Sequence, residues 1–139
     1  MLNKVYVEFR DVYKRAEYLV LSSPPVVFKV DQACPELDLL ISKYGTGCAA
    51  FITACNPKGA HQSEAKNLLA MNELKLAIDD LQLPYLPGFG RDPLGEWKED
   101  SYLILGINQD QACRLGSLFE QNAIVMLVMG KQPELVWLS

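Results

Sequence analysis

The sequence predicts a single α+β domain spanning residues 1–139, with a mixed, mostly antiparallel sheet and helices packed on it. Three observations predict it. β-rich apolar runs come in pairs joined by turn signals, segments of helical spacing fall between them, and no unit repeats along the chain. At 139 residues, 50% hydrophobic and 22% charged, the chain fits one domain with one core.

In chain order, residues 3–15 place Val5, Phe9, Val12 and Ala16 at helical spacing, with Tyr6 and Tyr13 on an adjoining side. Residues 18–21 and 26–30 are β-rich and flank Ser22, Ser23, Pro24 and Pro25, which predicts a hairpin. Leu37, Leu40 and Ile41 recur at helical spacing, and Gly45 follows where a C-cap takes a positive φ. Residues 48–54 are apolar on both alternating faces, as in a central strand covered on both sides.

Ser63 can cap a helix running to about residue 82, with Glu64 in its first turn. Met71, Leu74, Ile78 and Leu81 form one apolar face of it and Ala65, Leu69 and Leu76 another, so the helix is expected to be largely enclosed. Residues 83–100 crowd Pro84, Pro87, Gly88, Gly90, Pro93 and Gly95 into what reads as a long loop, with a short strand at 83–86. A strand over 101–107 follows. Asn108 and Gln111 have capping-box spacing, and Ala112, Leu115 and Phe119 supply a core stripe for a helix that ends near Gln121 and Asn122. Residues 123–129 and 135–138 close the chain as a hairpin.

The formal charge of −4 disfavours a protein that holds nucleic acid by neutralising phosphates. Met1, Leu2, Asn3 and Lys4 open no basic segment followed by an apolar run, and no window approaches the ~18 apolar residues of a membrane span. A cytoplasmic protein without a membrane part is expected. Cys34, Cys48, Cys55 and Cys113 form no C-x-x-C pair and only His61 could join them, so they read as buried thiols with no metal site.

Nucleotide motifs fail by spacing. Gly88-Phe89-Gly90 meets Pro93 where a third glycine would stand, and Lys58-Gly59 lacks the following Ser or Thr of a P-loop. A Cys55–His61 dyad has no supporting context. Asp92, Glu99 and His61 remain as candidate acids or bases, although solvated surface carboxylates are the usual explanation for Asp92 and Glu99 in so charged a loop; if Trp97 shelters Glu99 from water, desolvation raises its pKa. The better-founded chemistry concerns anions. The loop 56–62 precedes a helix N-terminus that favours negative charge, Lys58 lies in it, and Arg91 adds a second cation. A small phosphate- or carboxylate-bearing ligand over Asn56, Lys58, Ser63 and Asn67 is expected, although a plain capped helix start accounts for the same residues. Asn67 lies on the apolar face four residues before Met71; it is either the polar residue that helix faces often carry near a solvated end or a side chain that faces a polar pocket or the neighbouring loop, toward Asn56.

Several ordered blocks carry a family resemblance. Residues 51–57, then Ser63 and Asn67, then 90–101, and finally 119–124 are similar to successive blocks of the bacterial family called domain of unknown function 3293, over roughly residues 16–138. The family pattern has a tryptophan where this chain has Cys55 and a small residue where it has Glu120. The resemblance implies a common fold and a set of polar positions, and carries no reaction, substrate or cofactor. Those positions fall at four element ends. If the ends converge, Thr53, Asn56, Asn67, Asp92, Glu99, Ser101, Gln121 and Asn122 line one pocket; if they scatter, each is a cap or a hydrogen-bond bracket.

Two functional readings follow. One is a small-ligand site, enzymatic or not, that needs a concave pocket with converging polar groups. The other is a non-enzymatic interaction module that meets a protein partner through Tyr85, Leu86, Phe89 and Trp97 on a flat exposed patch.

Overall fold

The apolar run at residues 48–54 needs cover on both faces, and the rest of the chain supplies it. The computed structural model describes residues 4–138; three of the four N-terminal residues read for a leader lie outside that range. The elements are α1 (Lys4–Arg15), β1 (Glu17–Val20), β2 (Val26–Phe28), α2 (Pro35–Lys43), β3 (Cys48–Ile52), α3 (Glu64–Asp80), β4 (Tyr85–Arg91), β5 (Lys98–Leu105), α4 (Gln109–Leu118), β6 (Ala123–Val128) and β7 (Glu134–Trp137). All seven strands join one sheet in the order β2-β1-β4-β5-β3-β6-β7. The α+β class is as expected, and every pairing is antiparallel, so the sheet has no parallel component.

Alternation along β3 divides the core. Ala49 and Phe51 face one side, where Leu37, Leu40 and Ile41 of α2 cover them; Ala50 and Ile52 face the other, against Met71, Leu74 and Ile78 of α3 and Ala112 and Leu115 of α4. Helix ends obey local chemistry. Ser63 Oγ accepts from Lys66 N–H, the Asn108–Gln111 capping box is complete, and Gly45 has φ 70 after α2. The first helix, α1, lies over the β7 end of the sheet, with the Tyr6 and Tyr13 rings 5.2 and 5.6 Å from Trp137.

Three expectations are corrected. Residues 83–100 are mostly strand: β4 pairs with β5 from Tyr85 opposite Ile104 to Arg91 opposite Lys98. The glycines that read as breakers are there for close approach. A Cβ at Gly88 would collide with the Leu19 carbonyl and come within 2.9 Å of the Phe51 ring, and one at Gly90 would sit 3.3 Å from the Tyr18 ring. Secondly, α3 is enclosed on one face only, because Leu69 and Leu76 are exposed on the side away from the sheet. Thirdly, α4 ends at Leu118, and the left-handed residue after it is Glu120 at φ 55 rather than Asn122.

The four thiols are free, and only Cys55 is fully buried; Cys34, Cys48 and Cys113 are half-buried. Among the described residues no helix is long and apolar enough to cross a membrane.

Candidate functional site

The exit from β3 is where polar residues gather. After Ile52 the chain turns through Thr53, whose hydroxyl donates to Asp100 O at 2.6 Å and accepts from Cys55 N–H at 3.0 Å. Asn56 then takes a left-handed conformation, φ 47 and ψ 64, which asparagine tolerates better than most residues. Its backbone N–H donates to Asn67 Oδ1 at 2.9 Å, and its Oδ1 accepts from Asn67 Nδ2 at 3.1 Å and Gln62 N–H at 3.0 Å. Gln62 Nε2 adds a bond to Asn67 Oδ1 at 2.9 Å. Asn56 and Asn67 thus tie loop to helix, and both oxygens are saturated within that bracket.

The remaining group of Asn56 leads to a cavity. Its Nδ2 donates to Glu99 Oε2 at 2.8 Å. Glu99 lines two adjoining chambers on the Phe51 side of the sheet. The inner one, about 50 Å³, is bounded by Tyr13, Tyr18, Phe51 and Trp97 with Thr53, Ser101 and Gln121. The outer one, about 200 Å³, is bounded by Phe9, Tyr13, Asn56, His61 and Trp97. Tyr13, Trp97 and Glu99 belong to both and form the neck between them.

Aromatic walls and a carboxylate set the electrostatics. Burial pushes the Glu99 pKa above its ordinary value, and the Asn56 amide partly opposes that by donating to the ionised form. Burial also raises Tyr13 and Tyr18, so both phenols stay protonated at neutral pH. Tyr13 Oη accepts from Asn122 Nδ2 at 3.2 Å, and Gln121 Nε2 donates to the Cys55 and Phe119 carbonyls at 3.1 and 3.2 Å. No fully buried side-chain nitrogen or oxygen among the described residues lacks a partner. Among the described residues no donor hydrogen-bonds Glu99 Oε1 or Gln121 Oε1, and both residues line the inner chamber.

The expected residues therefore separate. Thr53, Ser101, Gln121 and Glu99 meet at the inner chamber, and Asn56, His61 and Glu99 at the outer one. Asn122 supports the site by holding the Tyr13 hydroxyl. Asn67 braces the loop from behind. Asp92 is buried outside the cavity, where Oδ2 accepts from Leu94 and Glu96 N–H at 3.1 and 3.3 Å and closes the turn that delivers Trp97. Ser63 is a helix cap.

Neither cation reaches the chambers. Lys58 lies at the surface, 3.8 Å from Glu120, and Arg91 pairs with Glu17 at 3.1 Å across β1 and β4 on the other face of the sheet. Cys55 donates its thiol toward Asp100 O and lines neither chamber, so it makes no dyad with His61. The four residues named for a protein partner do not form one patch: Leu86 and Trp97 pack on the Phe51 side, while Tyr85 stands against Tyr102 and Phe89 under Lys98 on the other.

Tyr13, Tyr18, Phe9 and Phe51 were not among the sequence-derived site residues. The seven-residue spacing of Tyr6 and Tyr13 marks an aromatic helix side, but nothing local says what it covers. Gly59 supplies a faint signal, since a side chain there would strike the Phe9 ring at 2.5 Å.

The fold and site define an α+β protein whose antiparallel sheet, roofed at one end by an aromatic helix, holds a carboxylate-bearing cavity. The family model described as protein of unknown function (DUF3293) matches residues 52–124, more than half of the chain, and the protein belongs to that family. Comparison with curated proteins and with solved structures gives no match.

Proposed function

We propose that this is a cytoplasmic bacterial protein that binds a small polar ligand in the two-chambered cavity, with Glu99 as the residue that recognises it. The observation that carries this reading is Glu99 Oε1, which has no hydrogen-bond donor among the described residues, on a half-buried residue beside aromatic rings, together with Gln121 Oε1, likewise without a donor among them, in the lining of the same chamber. A ligand that satisfies two acceptors carries several N–H donors, and aromatic faces favour a cation. The ligand is thus a compact primary amine, amidine or guanidine. A phosphate or carboxylate group fits the lining less well, because Lys58 and Arg91 are engaged elsewhere and Glu99 repels it.

Glu99 with a raised pKa, in the lining of the outer chamber that also includes His61, is also suited to proton transfer on such a ligand. Thermal-shift and NMR titrations with ethylammonium, agmatine, acetate and inorganic phosphate test the reading. The amines are expected to raise Tm and perturb the Trp97 resonances, and Glu99→Gln to abolish both effects. Stabilisation by acetate or phosphate alone, or amine binding unchanged in Glu99→Gln, refutes it.

A further inference from the structure

Helix α3 carries two apolar faces, and the sheet covers one. Met71, Leu74 and Ile78 are buried against it, while Leu69 and Leu76, 64% and 65% exposed, stand on the opposite side. Ala65, Leu69, Asn72 and Leu76 recur at alternating spacings of four and three residues, the stripe by which one helix seats another. Leu68 extends the stripe on one flank at 63% exposure, and Leu118 of α4, 70% exposed, rims a groove of about 440 Å³ on the other. Single exposed leucines are ordinary, but four on one side of the molecule mark a surface that is met by something.

The charges beside the stripe identify the occupant. Lys66 and Glu73 lie one heptad apart on the same flank, both exposed, and neither forms an ion pair among the described residues. Opposite charges at that spacing are self-complementary under a two-fold axis. When a second α3 lies antiparallel along the stripe, Lys66 of each copy meets Glu73 of the other, and Leu69 and Leu76 interleave with Asn72 and Ala65 of the second copy. Asn72, the one polar residue of the stripe, is the kind of residue that fixes register and orientation in such pairs.

We infer that the protein forms an isologous homodimer in which two α3 helices pair antiparallel through Leu69 and Leu76, with Lys66 and Glu73 exchanging ion pairs across the axis. The ligand cavity lies on the other face of the sheet, so dimerisation leaves it open, and the two proposals stand or fall separately.

Sedimentation velocity on a dilution series of the full chain is the test. Wild type is expected to dimerise, and Leu69→Glu to raise the dissociation constant about 100-fold or more. Lys66→Glu and Glu73→Lys should each weaken the dimer about ten-fold, whereas an equimolar mixture of the two recovers wild-type affinity as a heterodimer. Recovery by mixing also shows that both variants are folded. A wild type that stays monomeric at about 100 μM overturns the inference. A dimer that ignores these substitutions, or a mixture that fails to recover, overturns it as well.

Discussion

Replacing Asn56 with alanine removes three side-chain hydrogen bonds and leaves an unsupported residue in left-handed backbone. The lost bonds run to Glu99 at 2.8 Å, from Gln62 N–H at 3.0 Å and from Asn67 Nδ2 at 3.1 Å. Two neutral bonds at about 1 kcal/mol each, one charge-assisted bond at about 2 and a left-handed alanine at about 1 give a gross loss of about 5 kcal/mol. Water reaches this half-buried loop and replaces some of it, so about 3–4 kcal/mol is expected in urea unfolding. Asn67→Ala, which strips acceptors from Asn56 N–H and Gln62 Nε2 as well as one donor, should cost about 2–3 kcal/mol. Only one bond joins the two side chains directly, so the double variant should fall about 1 kcal/mol short of the sum. A cost below about 1 kcal/mol for Asn56→Ala, or strict additivity in the cycle, refutes the bracket.

Glu99→Gln should change the pH dependence of stability. Because burial raises the folded pKa of Glu99 above its ordinary 4.5, the folded state holds that proton more tightly than the unfolded chain. Wild-type stability contributed by this group is therefore present below that value and lost as pH rises through the folded pKa; the variant lacks that loss and should gain on wild type between pH 4 and pH 8, measured by urea midpoint. A constant difference across that range counts against a strained carboxylate. Gly88→Ala, forced into the Leu19 carbonyl, should cost about 3 kcal/mol or more, while Gly90→Ala, which meets only the edge of the Tyr18 ring, should cost about 1–2. Equal losses in thermal unfolding would show that the two strand glycines are not graded by backbone approach.

The order of elements was legible because local chemistry marks it: Ser63, the Asn108–Gln111 box and Gly45 punctuate helices, and the apolar run at β3 is covered on both faces. What local signals mark less well is why a sheet needs a residue it normally avoids. Gly88 and Gly90 look like loop residues until β1 is laid beside β4 and the Leu19 carbonyl, the Phe51 ring reaching over from β3 and the Tyr18 ring occupy the space a Cβ would take. The same limit applies to the site. Asn56, Asn67 and Glu99 could be singled out as polar groups at element ends, but the wall that turns Glu99 into part of a cavity comes from Tyr13 on a helix more than 80 residues away in the chain. Hydrophobic patterning gave both faces of α3 and could not say that the sheet would take only one.

Asn56 is where stability and the proposed recognition meet in one residue. Its oxygen holds the loop to α3, and its nitrogen is the only side-chain donor to Glu99 among the described residues, so a shift in the loop reaches the carboxylate directly. Burial drives Glu99 toward its neutral form and the Asn56 amide drives it back; an amine at Oε1 would add a second donor and favour the charged form further. Ligand binding should then tighten as pH rises and Glu99 ionises, and it should also slow hydrogen exchange in the loop 56–62, since the bound state strengthens the carboxylate that Asn56 holds. Tightening at low pH instead would mean that Glu99 acts as a protonated donor, and the ligand would then be an acceptor such as a carboxylate.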